Sequence, residues 1–409
     1  MERSAFIQEA RAFLDTHSSR RAVEETSFAW GDGDDSVALF DSTDREIEYA
    51  ELERSKNWRR LRFDAGLGWL SGPPQYGGRG LSTEHEKIYA DLEKEYDVPN
   101  DAFFKVSLGM VAPTIFACGQ TGTKERLLAA LYRGDLIGCQ LFSEPGAGSD
   151  LASVGTRAVA DGDSWRITGQ KVWTSGAHYS DIGEILCRTR SDVPKHRGIT
   201  AFVVDMHAPG VVVRPLRQMT GGASFNEVFF DDVRVSDSDR LGDLDGGWSV
   251  ALTTLMTERA SIGNSGAAVG GGFDKTAFLA KMLHHYGLHN DQLLRHELMR
   301  IHINTTVADL NNQRANERAA AGHAPGPEMS IAKLTMTQNM WSTAQFVAKV
   351  LGPRIIADTG RWSTYTWASY LLDIPGVRVA GGTDEVMRNI LAERVLGLPK
   401  EPSVHTGSG

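Results

Sequence analysis

The stretch that decides the fold is Gly-Gly-Thr-Asp-Glu-Val-Met-Arg-Asn, at Gly381–Asn389 near the end of the chain. A second stretch, Leu141–Asp150 (LFSEPGAGSD), lies about 230 residues earlier. Each is a glycine-rich segment, and either one alone predicts only a turn. In the later stretch, Gly381 and Gly382 permit a tight bend and Thr383 can cap the helix that follows. The information therefore lies in the two stretches together.

Length and composition place the chain among multidomain globular proteins. It has 409 residues, of which 41% are hydrophobic, so we expect a large core and two or three domains. The formal net charge is -9, which argues against a nucleic-acid-binding surface because such surfaces need clustered basic residues. A few local Arg or Lys residues could still bind a small anionic ligand.

Cysteine and histidine usage indicates a reducing compartment and no metal site. Cys118, Cys139 and Cys187 are odd in number and lack metal or CxxC spacing, so we expect reduced thiols. The twelve histidines show no ligand spacing. The N-terminal residues carry interspersed charges, and no apolar run reaches 18 residues. These observations predict a cytoplasmic protein without a membrane segment or a bound metal.

The pattern of apolar and β-branched residues changes twice along the chain. Residues 1–137 show apolar residues at helical spacing, which predicts an N-terminal helical domain. Residues 138–240 contain short β-branched runs separated by Gly, Asp and Pro, which predicts a central antiparallel β-domain. Residues 241–400 return to long helices, with breaks expected near Pro353 and Pro375, and residues 401–409 are predicted to be a flexible tail.

Together the two glycine-rich stretches resemble the flavin-binding signatures of the acyl-CoA dehydrogenase family. The resemblance covers roughly residues 65–400 and implies a mixed α and β fold with a helical N-terminal domain, a central antiparallel β-domain and a C-terminal helical bundle. It also implies that FAD lies between the last two domains. Glycines such as Gly146 and Gly148 suit this use because they let backbone amides approach a ligand closely.

The resemblance assigns specific residues to FAD and to the thioester. In the earlier stretch Ser143 matches a position that contacts the isoalloxazine ring, and Ser149 matches one near the phosphate arm of CoA. In the later stretch the backbone at Gly382 helps to polarise the thioester carbonyl. The cofactor-binding residues implied by the family pattern in the two stretches are Leu141, Phe142, Ser143, Gly148, Ser149, Thr383 and Glu385.

A third segment, Lys171–Ala177 (KVWTSGA), also fits the family pattern. The indole of Trp173 can shield one face of a flavin, and a hydroxyl from Thr174 or Ser175 can hydrogen-bond its N5 edge. A lone Trp on a strand is more often simply buried. Gly176 stands where the family usually has Asn, which is a departure in detail.

The candidate catalytic base is Glu258, on a predicted helix that begins near Trp248. Ala251, Leu255, Glu258 and Ile262 are spaced four, three and four residues apart, so they share one helix face. A carboxylate on an apolar stripe is a candidate acid or base, and periodicity alone fits a structural ion pair equally well. Most family members carry their base where this chain has Gly381.

The resemblance favours the catalytic alternative for Glu258. A subset of the family, including the isovaleryl and long-chain types, carries the base on this central helix directly before a widely shared Arg. Glu258 and Arg259 match that subset, which implies that Glu258 is the base and that Arg259 belongs to the substrate site. Gly381 then marks the position from which the base was lost. In the family, this arrangement accompanies branched, bulky or long acyl groups.

Two other motifs of the family are altered. The family usually has Arg-x-x-Phe-Gly on a later helix, and here Leu283 stands at the Arg position before Tyr286 and Gly287. Near residue 350 the chain has Val350–Arg354 in place of a Gln and Gly run. These motifs usually hold the FAD of a neighbouring subunit, so this chain holds FAD through different contacts or needs a different partner chain.

The sequence therefore predicts FAD-dependent α,β-desaturation of an acyl-CoA thioester in lipid metabolism, with a bulky or branched acyl group. The implied partners are the acyl-CoA substrate, an electron-transfer flavoprotein or a similar acceptor, and further copies in a homodimer or homotetramer. Two alternatives stay open. One is a non-catalytic or partner-dependent subunit of a hetero-oligomer. The other is a different flavin reaction on the same fold, as an oxidase or monooxygenase.

Overall fold

A computed structural model describes residues 1–21, 39, 44–264, 275–320, 326–356 and 365–400. The chain divides into two compact units, which contain Met1–Thr26 with Ser42–Thr257, and Ser27–Asp41 with Glu258–Gly409. This two-part division does not test the three-domain boundaries expected from the sequence, which stay a prediction. The expected tail at 401–409 lies outside the described residues.

The first part of the first unit is helical. Its elements are α1 Arg3–His17, β1 Ser19–Arg20, α2 Arg45–Asp64, α3 Thr83–Glu93, β2 Tyr96–Asp97, α4 Ala112–Cys118 and α5 Thr121–Arg133. Helix α1 buries Phe6, Ala10 and Leu14, which recur every fourth residue and so form one apolar stripe. That stripe packs with Trp58 of α2 and Tyr89 of α3 in one core.

An eight-stranded sheet follows in the same unit. Its strands are β3 Gly138–Leu141, β4 Arg157–Asp161, β5 Ser164–Ser175, β6 Ile182–Arg188, β7 Ile199–Asp205, β8 Val211–Leu216, β9 Phe225–Ser236 and β10 Arg240–Leu241. The strand order is β10-β7-β6-β4-β5-β9-β8, with β3 paired to β6. The β3–β6 and β4–β6 pairings are parallel and the others antiparallel. The β4–β5 hairpin separates β3 from β6, giving a connection long enough for a parallel crossover.

Both faces of this sheet are packed. On one face Leu141, Ile185 and Phe202 join one core cluster. On the opposite face Leu186 and Val203 join another. This second face packs against α4, α5 and the start of α6, Gly247–Asn264. The alternation along β6 and β7 has the period of two that separates the faces of a strand.

The second unit is helical. Beyond the last turns of α6 it contains α7 Lys275–His285, α8 Gln292–Ala320, α9 Ser330–Leu351, α10 Tyr365–Val379 and α11 Asp384–Ile390. Leu279, Leu298, Val347 and Ile374 meet in its core. The break expected around Pro375 is wrong, because α10 continues through this residue. A helix loses one backbone hydrogen bond at a proline, and the packing of α10 offsets that loss. The predicted mixed α and β fold is confirmed.

The described residues also bear on the expectations about membrane segments, metal sites and disulfides. No helix within the described ranges is long and apolar enough to cross a membrane. Among the same residues, no group of three or more His, Cys, Asp or Glu side chains could hold a metal ion. The thiols of Cys118, Cys139 and Cys187 are free, and the last two are buried.

Candidate active site

The glycine-rich loop after β3 is a tight turn tied to strand β5. The backbone N–H of Glu144 donates to the carbonyl of Ala147 at 2.9 Å, and the N–H of Ala147 donates back at 3.1 Å. The N–H of Val172 donates to the carbonyl of Ser143 at 2.9 Å. This last bond places the start of the loop beside the strand that carries Trp173.

An ion pair between Lys171 of β5 and Glu144 of the loop attaches the same loop to the strand. Lys171 is fully buried, and its Nζ lies 2.7 Å from Oε1 of Glu144 and 3.1 Å from the carbonyl oxygen of Phe142. The carboxylate of Glu144 also accepts the backbone N–H groups of Gly155 and Thr156. Burial alone would raise the pKa of Glu144, but the charge of Lys171 and these hydrogen bonds outweigh it and lower that pKa. Burial lowers the pKa of Lys171, and the charge of Glu144 opposes that shift, so each partner favours the charged form of the other and the pair fixes the loop.

The structure places the predicted loop residues in different environments. The side chains of Leu141 and Phe142 are buried in the two cores of the sheet, so they can offer a ligand only their backbone. Ser143 is half-buried and Ser149 is exposed. A Cβ added at Gly148 would meet no other heavy atom within 4 Å. The loop is therefore open on the side of its glycines.

A β-bulge turns Trp173 outward. Strand β5 pairs Lys171 with Val228 and Thr174 with Asn226 of β9, so two residues of β5 oppose a single residue of β9. Trp173 has a φ of 59°, in the left-handed region, and its side chain is 58% exposed. A bulge of this kind re-aims a side chain. Strain at a large aromatic residue is typical of a functional position.

The two predicted hydroxyls of β5 lie in different environments. Ser175 is exposed like Trp173, and strand periodicity places the two on one face. Thr174 is 1% exposed, and its carbonyl accepts from Nδ2 of Asn226 at 3.1 Å. The ring of Phe225 contacts the indole edge-on, with centroids 6.0 Å apart. An exposed indole beside an exposed hydroxyl fits a flat aromatic ligand with polar edge atoms, such as a flavin.

In the second unit, the Gly-Gly-Thr turn has the shape that the sequence predicts. Gly381 and Gly382 have φ angles of 65° and 95°, which disfavour any residue with a side chain. A Cβ at Gly382 would also come within 2.5 Å of Cε of Met387. The hydroxyl of Thr383 accepts the N–H of Val386 at 3.1 Å, so the predicted helix cap is confirmed.

A buried carboxylate that sequence reasoning missed anchors this turn. Asp384 is 1% exposed and accepts from Nε of Arg378 and from the hydroxyl of Thr337, each at 2.8 Å. Nζ of Lys333 lies 3.5 Å away. Burial acts to raise the pKa of Asp384, but these donors and positive charges outweigh it and lower the pKa. The next residue, Glu385, is exposed, and Nη1 of Arg388 lies 3.4 Å from its Oε1.

The proposed base lies on a helix whose backbone the structure describes. Helix α6 includes position 258, as the sequence predicts. The side chains of Glu258 and Arg259 lie outside the described part of the chain, so their roles stay predictions. Thr254, one helical turn earlier, is described and fully buried.

The residues at the altered family motifs pack within the second unit. Leu283, at the position where the family has Arg, is 2% exposed and packs in the core of the second unit. The guanidinium of Arg354 lies over the ring of Tyr286, 5.1 Å from its centroid. Position 283 therefore contributes to packing and offers no charge to a cofactor.

A second buried carboxyl, Glu184 of β6, was also missed by sequence reasoning. Glu184 is fully buried, and its Oε1 accepts the hydroxyl of Thr254 of α6 at 2.6 Å. The same hydroxyl lies 2.9 Å from that of Thr114 of α4. Burial raises the pKa of Glu184 to about 8, although the hydrogen bond from Thr254 opposes this rise. Glu184 is therefore mostly neutral at pH 7.

The raised pKa of Glu184 gives a testable dependence of stability on pH. Its pKa in the folded state, about 8, exceeds the ordinary value of 4.5, so the folded protein binds this proton more tightly than the unfolded chain. The resulting stabilisation is fully present below the ordinary value and is lost as pH rises towards the folded value. Between about pH 5 and pH 8, the wild type should lose several kcal/mol of unfolding free energy relative to Glu184→Gln.

Urea unfolding of both proteins across this pH range checks the prediction. Glu184 also raises the pKa of the thiol of Cys118, for which burial is the largest cause. The titration of this thiol lies above the range tested. Parallel stability curves for the two proteins would contradict the expected loss.

Comparison with known proteins agrees with this geometry. The model of the acyl-CoA dehydrogenase middle domain matches residues 139–233, and that of the C-terminal domain matches residues 245–396. The chain therefore belongs to the acyl-CoA dehydrogenase family, an oxidoreductase family, and the resemblance inferred from the two glycine-rich stretches is confirmed.

Two curated relatives differ in how much of their own length this chain matches. The acyl-CoA dehydrogenase IpdE1 of Mycobacterium tuberculosis is 35% identical, with 87% of this chain and 90% of that protein aligned. FadE34 of the same organism is 40% identical over 86% of this chain, but the aligned region is only 47% of FadE34. This chain thus spans about half the length of that relative.

Among solved structures, a variant of the Tcur3481-Tcur3483 steroid ACAD has a TM-score of 0.74 and 25% identity. The match covers 97% of this chain and 99% of that one. The ChsE4-ChsE5 complex from Mycobacterium tuberculosis has a TM-score of 0.66 and 25% identity, over 97% of this chain and 98% of that one.

Proposed function

We propose that this protein is an FAD-dependent dehydrogenase that introduces an α,β double bond into a bulky acyl-CoA thioester. The observation that carries the proposal is the bulge of β5, which turns Trp173 and Ser175 towards the outside beside the loop that begins at Ser143. The left-handed φ of Trp173 is uncommon for a large side chain, which supports a functional role at this position. Family membership makes a flavin the matching ligand.

The chain's own residues would hold FAD in two regions. In the first unit, Trp173 would cover one face of the ring system, Ser175 would hydrogen-bond its edge, and the backbone at Ser143 would line the ring. In the second unit, Thr383 and Glu385 are the residues that we assign to the diphosphate and ribose region. When bound, FAD supplies the acceptor for the hydride that leaves the β-carbon.

The difficult step for the protein is removal of the α-proton, because an α C–H is a weak acid. We assign this step to Glu258, which would accept the proton as the carbonyl oxygen gains negative charge. The backbone amide at Gly382 would donate a hydrogen bond to that oxygen and so stabilise the charge. Arg259 and Ser149 are assigned to binding of the thioester and the CoA phosphate arm.

The bulky acyl group is supported by the loss of a side chain at Gly381 and by the relatives. The Tcur3481-Tcur3483 structure is named a steroid ACAD. We infer that this chain takes a branched, cyclic or steroid-type acyl group. The test is an anaerobic titration of the purified protein with straight-chain, branched, cyclic and steroidal acyl-CoAs, followed by flavin absorbance. Bleaching only by short straight chains would overturn the assignment of substrate.

The buried Leu283 favours a partner-dependent assembly as a second proposal. A chain that cannot supply the usual Arg in trans needs a different subunit to complete FAD binding. The Tcur3481-Tcur3483 and ChsE4-ChsE5 structures are each named for two different chains. This supports a hetero-oligomer over the homotetramer for the present chain. FAD content and mass of the isolated chain distinguish these cases, since a homo-oligomer would purify with about one FAD per chain. A cytoplasmic location and an electron-transfer flavoprotein as acceptor complete the proposal.

Replacing Trp173 tests where the flavin binds. We expect Trp173→Ala to weaken FAD binding about three- to tenfold, because stacking on an aromatic ring contributes roughly 0.5–1.5 kcal/mol. The exposed indole contributes little to the fold, so the unfolding temperature of the FAD-free protein should stay unchanged. Titration of FAD into the FAD-free protein, followed by fluorescence, measures the effect.

The matched control is Trp165→Ala on the same strand. Trp165 is half-buried and donates to Oδ1 of Asp237 at 2.8 Å. This control should lower stability without changing the affinity for FAD. An unchanged affinity in Trp173→Ala would contradict the placement of the flavin.

A further inference from the structure

Two polar side chains interrupt the apolar sheet face that packs against the helices. Gln140 of β3 and Glu184 of β6 are opposite each other in the parallel pairing, so both lie on one face of the sheet. The neighbours on this face, such as Leu186 and Val203, are buried and apolar. A structural core gains nothing from an amide and a carboxyl in adjacent positions that each leave one buried polar atom unpaired.

The free atoms of both side chains are hydrogen-bond donors. With the Thr254 hydroxyl donating to Oε1 of Glu184, the neutral acid would carry its proton on Oε2. This Oε2 is buried and has no hydrogen-bond partner among the described residues. The amide Nε2 of Gln140 is likewise buried, with no partner in the described ranges. Two adjacent donors therefore lack an acceptor.

These donors lie close in the fold to the groups assigned to the reaction. Thr254, the partner of Glu184, precedes position 258 by one turn of α6, which is about 5.4 Å along the helix. Gln140 precedes Ser143 by three residues at the end of β3. Gln140 thus lies on the strand that leads to the proposed flavin loop, and Glu184 is hydrogen-bonded to the helix that carries the proposed base.

We propose that Gln140 and Glu184 determine specificity by donating hydrogen bonds to an oxygen atom on the acyl group of the substrate. The matching chemistry is a ketone, or a hydroxyl acting as acceptor, on a ring near the reacting carbons. A plain hydrocarbon would leave both donors unpaired in a dry site, which disfavours it strongly. This inference rests on the proposed dehydrogenase function and adds the chemical class of the substrate.

A purely structural role makes different predictions. The chain of hydrogen bonds from Glu184 through Thr254 to Thr114 ties the sheet to two helices, and it would stabilise the fold whatever the substrate. Gln140 takes no part in that chain. Replacement of Gln140 therefore separates recognition of an oxygen atom from attachment of the helices.

The experiment uses two pairs of acyl-CoAs that differ by one oxygen atom. The first pair is cyclohexane-1-carbonyl-CoA and its 4-oxo derivative. The second is a steroidal acyl-CoA with and without a ketone on the ring nearest the side chain. For each pair, kcat and KM are measured with an artificial electron acceptor for the wild type, Gln140→Leu and Glu184→Gln. Gln120→Leu, an exposed residue bonded to the carbonyl of Asp237, is the matched control.

The wild type should prefer the oxo member of at least one pair by tenfold or more in kcat/KM. Gln140→Leu should bring this ratio close to one, chiefly by raising KM for the oxo substrate. Glu184→Gln should keep the preference, because its amide still donates from the same position, and Gln120→Leu should match the wild type. Should Gln140→Leu fold poorly, the unbranched Gln140→Met removes the same donor with less change of shape.

Two results would overturn the inference alone. One is flavin bleaching with no preference for the oxo member of either pair. The other is a preference that Gln140→Leu leaves intact while its unfolding temperature falls, which is the signature of a structural role. Absence of bleaching by any acyl-CoA would instead overturn the proposed function together with this inference, so the two failures are distinguishable.

Discussion

Glu258→Gln should abolish reduction of the flavin by acyl-CoA at any useful rate. A glutamine has nearly the shape of glutamate but cannot accept the α-proton, and loss of a general base lowers a rate by about 10²–10⁴-fold. Because the amide still fills the same space, FAD content and affinity for acyl-CoA should remain close to those of the wild type. Anaerobic stopped-flow measurement of flavin bleaching gives the rate directly.

The matched control is Glu317→Gln, a change of the same kind on α8. Glu317 is exposed and accepts from Nε2 of Gln313, so this variant should bleach at the rate of the wild type. If Glu258→Gln also bleached at that rate, the base would be another residue. Bleaching of Glu258→Gln at the wild-type rate would thus contradict the assignment of this chain to the family subset that carries the base on the central helix.

Lys171→Met should destabilise the first unit by about 3–5 kcal/mol. Lys171 is fully buried beside the largely buried carboxylate of Glu144, and removal of one partner of such a pair costs about this much, because the backbone N–H groups left to Glu144 carry no full positive charge. The loop should then detach from β5, so FAD binding should weaken together with stability. Denaturant unfolding gives the free energy, and FAD titration gives the affinity.

Two further variants give this prediction its controls. Lys171→Met/Glu144→Gln removes both charges, so it should recover part of the lost stability. Lys94→Met breaks an exposed pair with Asp91 and should cost less than about 1 kcal/mol. Equal losses in Lys171→Met and Lys94→Met would contradict a structural role of the buried pair.

Local sequence patterns predicted the parts of the site that depend on neighbouring residues. The cap at Thr383 follows from a hydroxyl next to two glycines, and the structure has it. Helices before the sheet and after it follow from apolar periodicity. The family and its fold followed from two short motifs, because the spacing and order of a glycine-rich loop and a glycine-rich cap are specific in combination.

Sequence reasoning missed the features that depend on distant pairing. Lys171 and Glu144 are 27 residues apart, and Glu184 meets Thr254 across 70 residues, so no local period marks either contact. The bulge at Trp173 depends on the register of β5 against β9. One signal was available: Glu144 and Lys171 each lie inside a motif that the sequence assigns to the flavin, and buried charges of opposite sign are usually paired.

The left-handed backbone at Gly381 bears on how the chain could return to the commoner arrangement of its family. A glutamate at this position would have to adopt a φ of 65°, which costs roughly 1–2 kcal/mol for a residue with a side chain. A single substitution would thus add a strained second carboxylate while Glu258 still occupied its own position. With the base assigned to Glu258 as proposed, the conformation of Gly381 disfavours its relocation to position 381, and we expect relatives that share this turn to carry the base on the central helix.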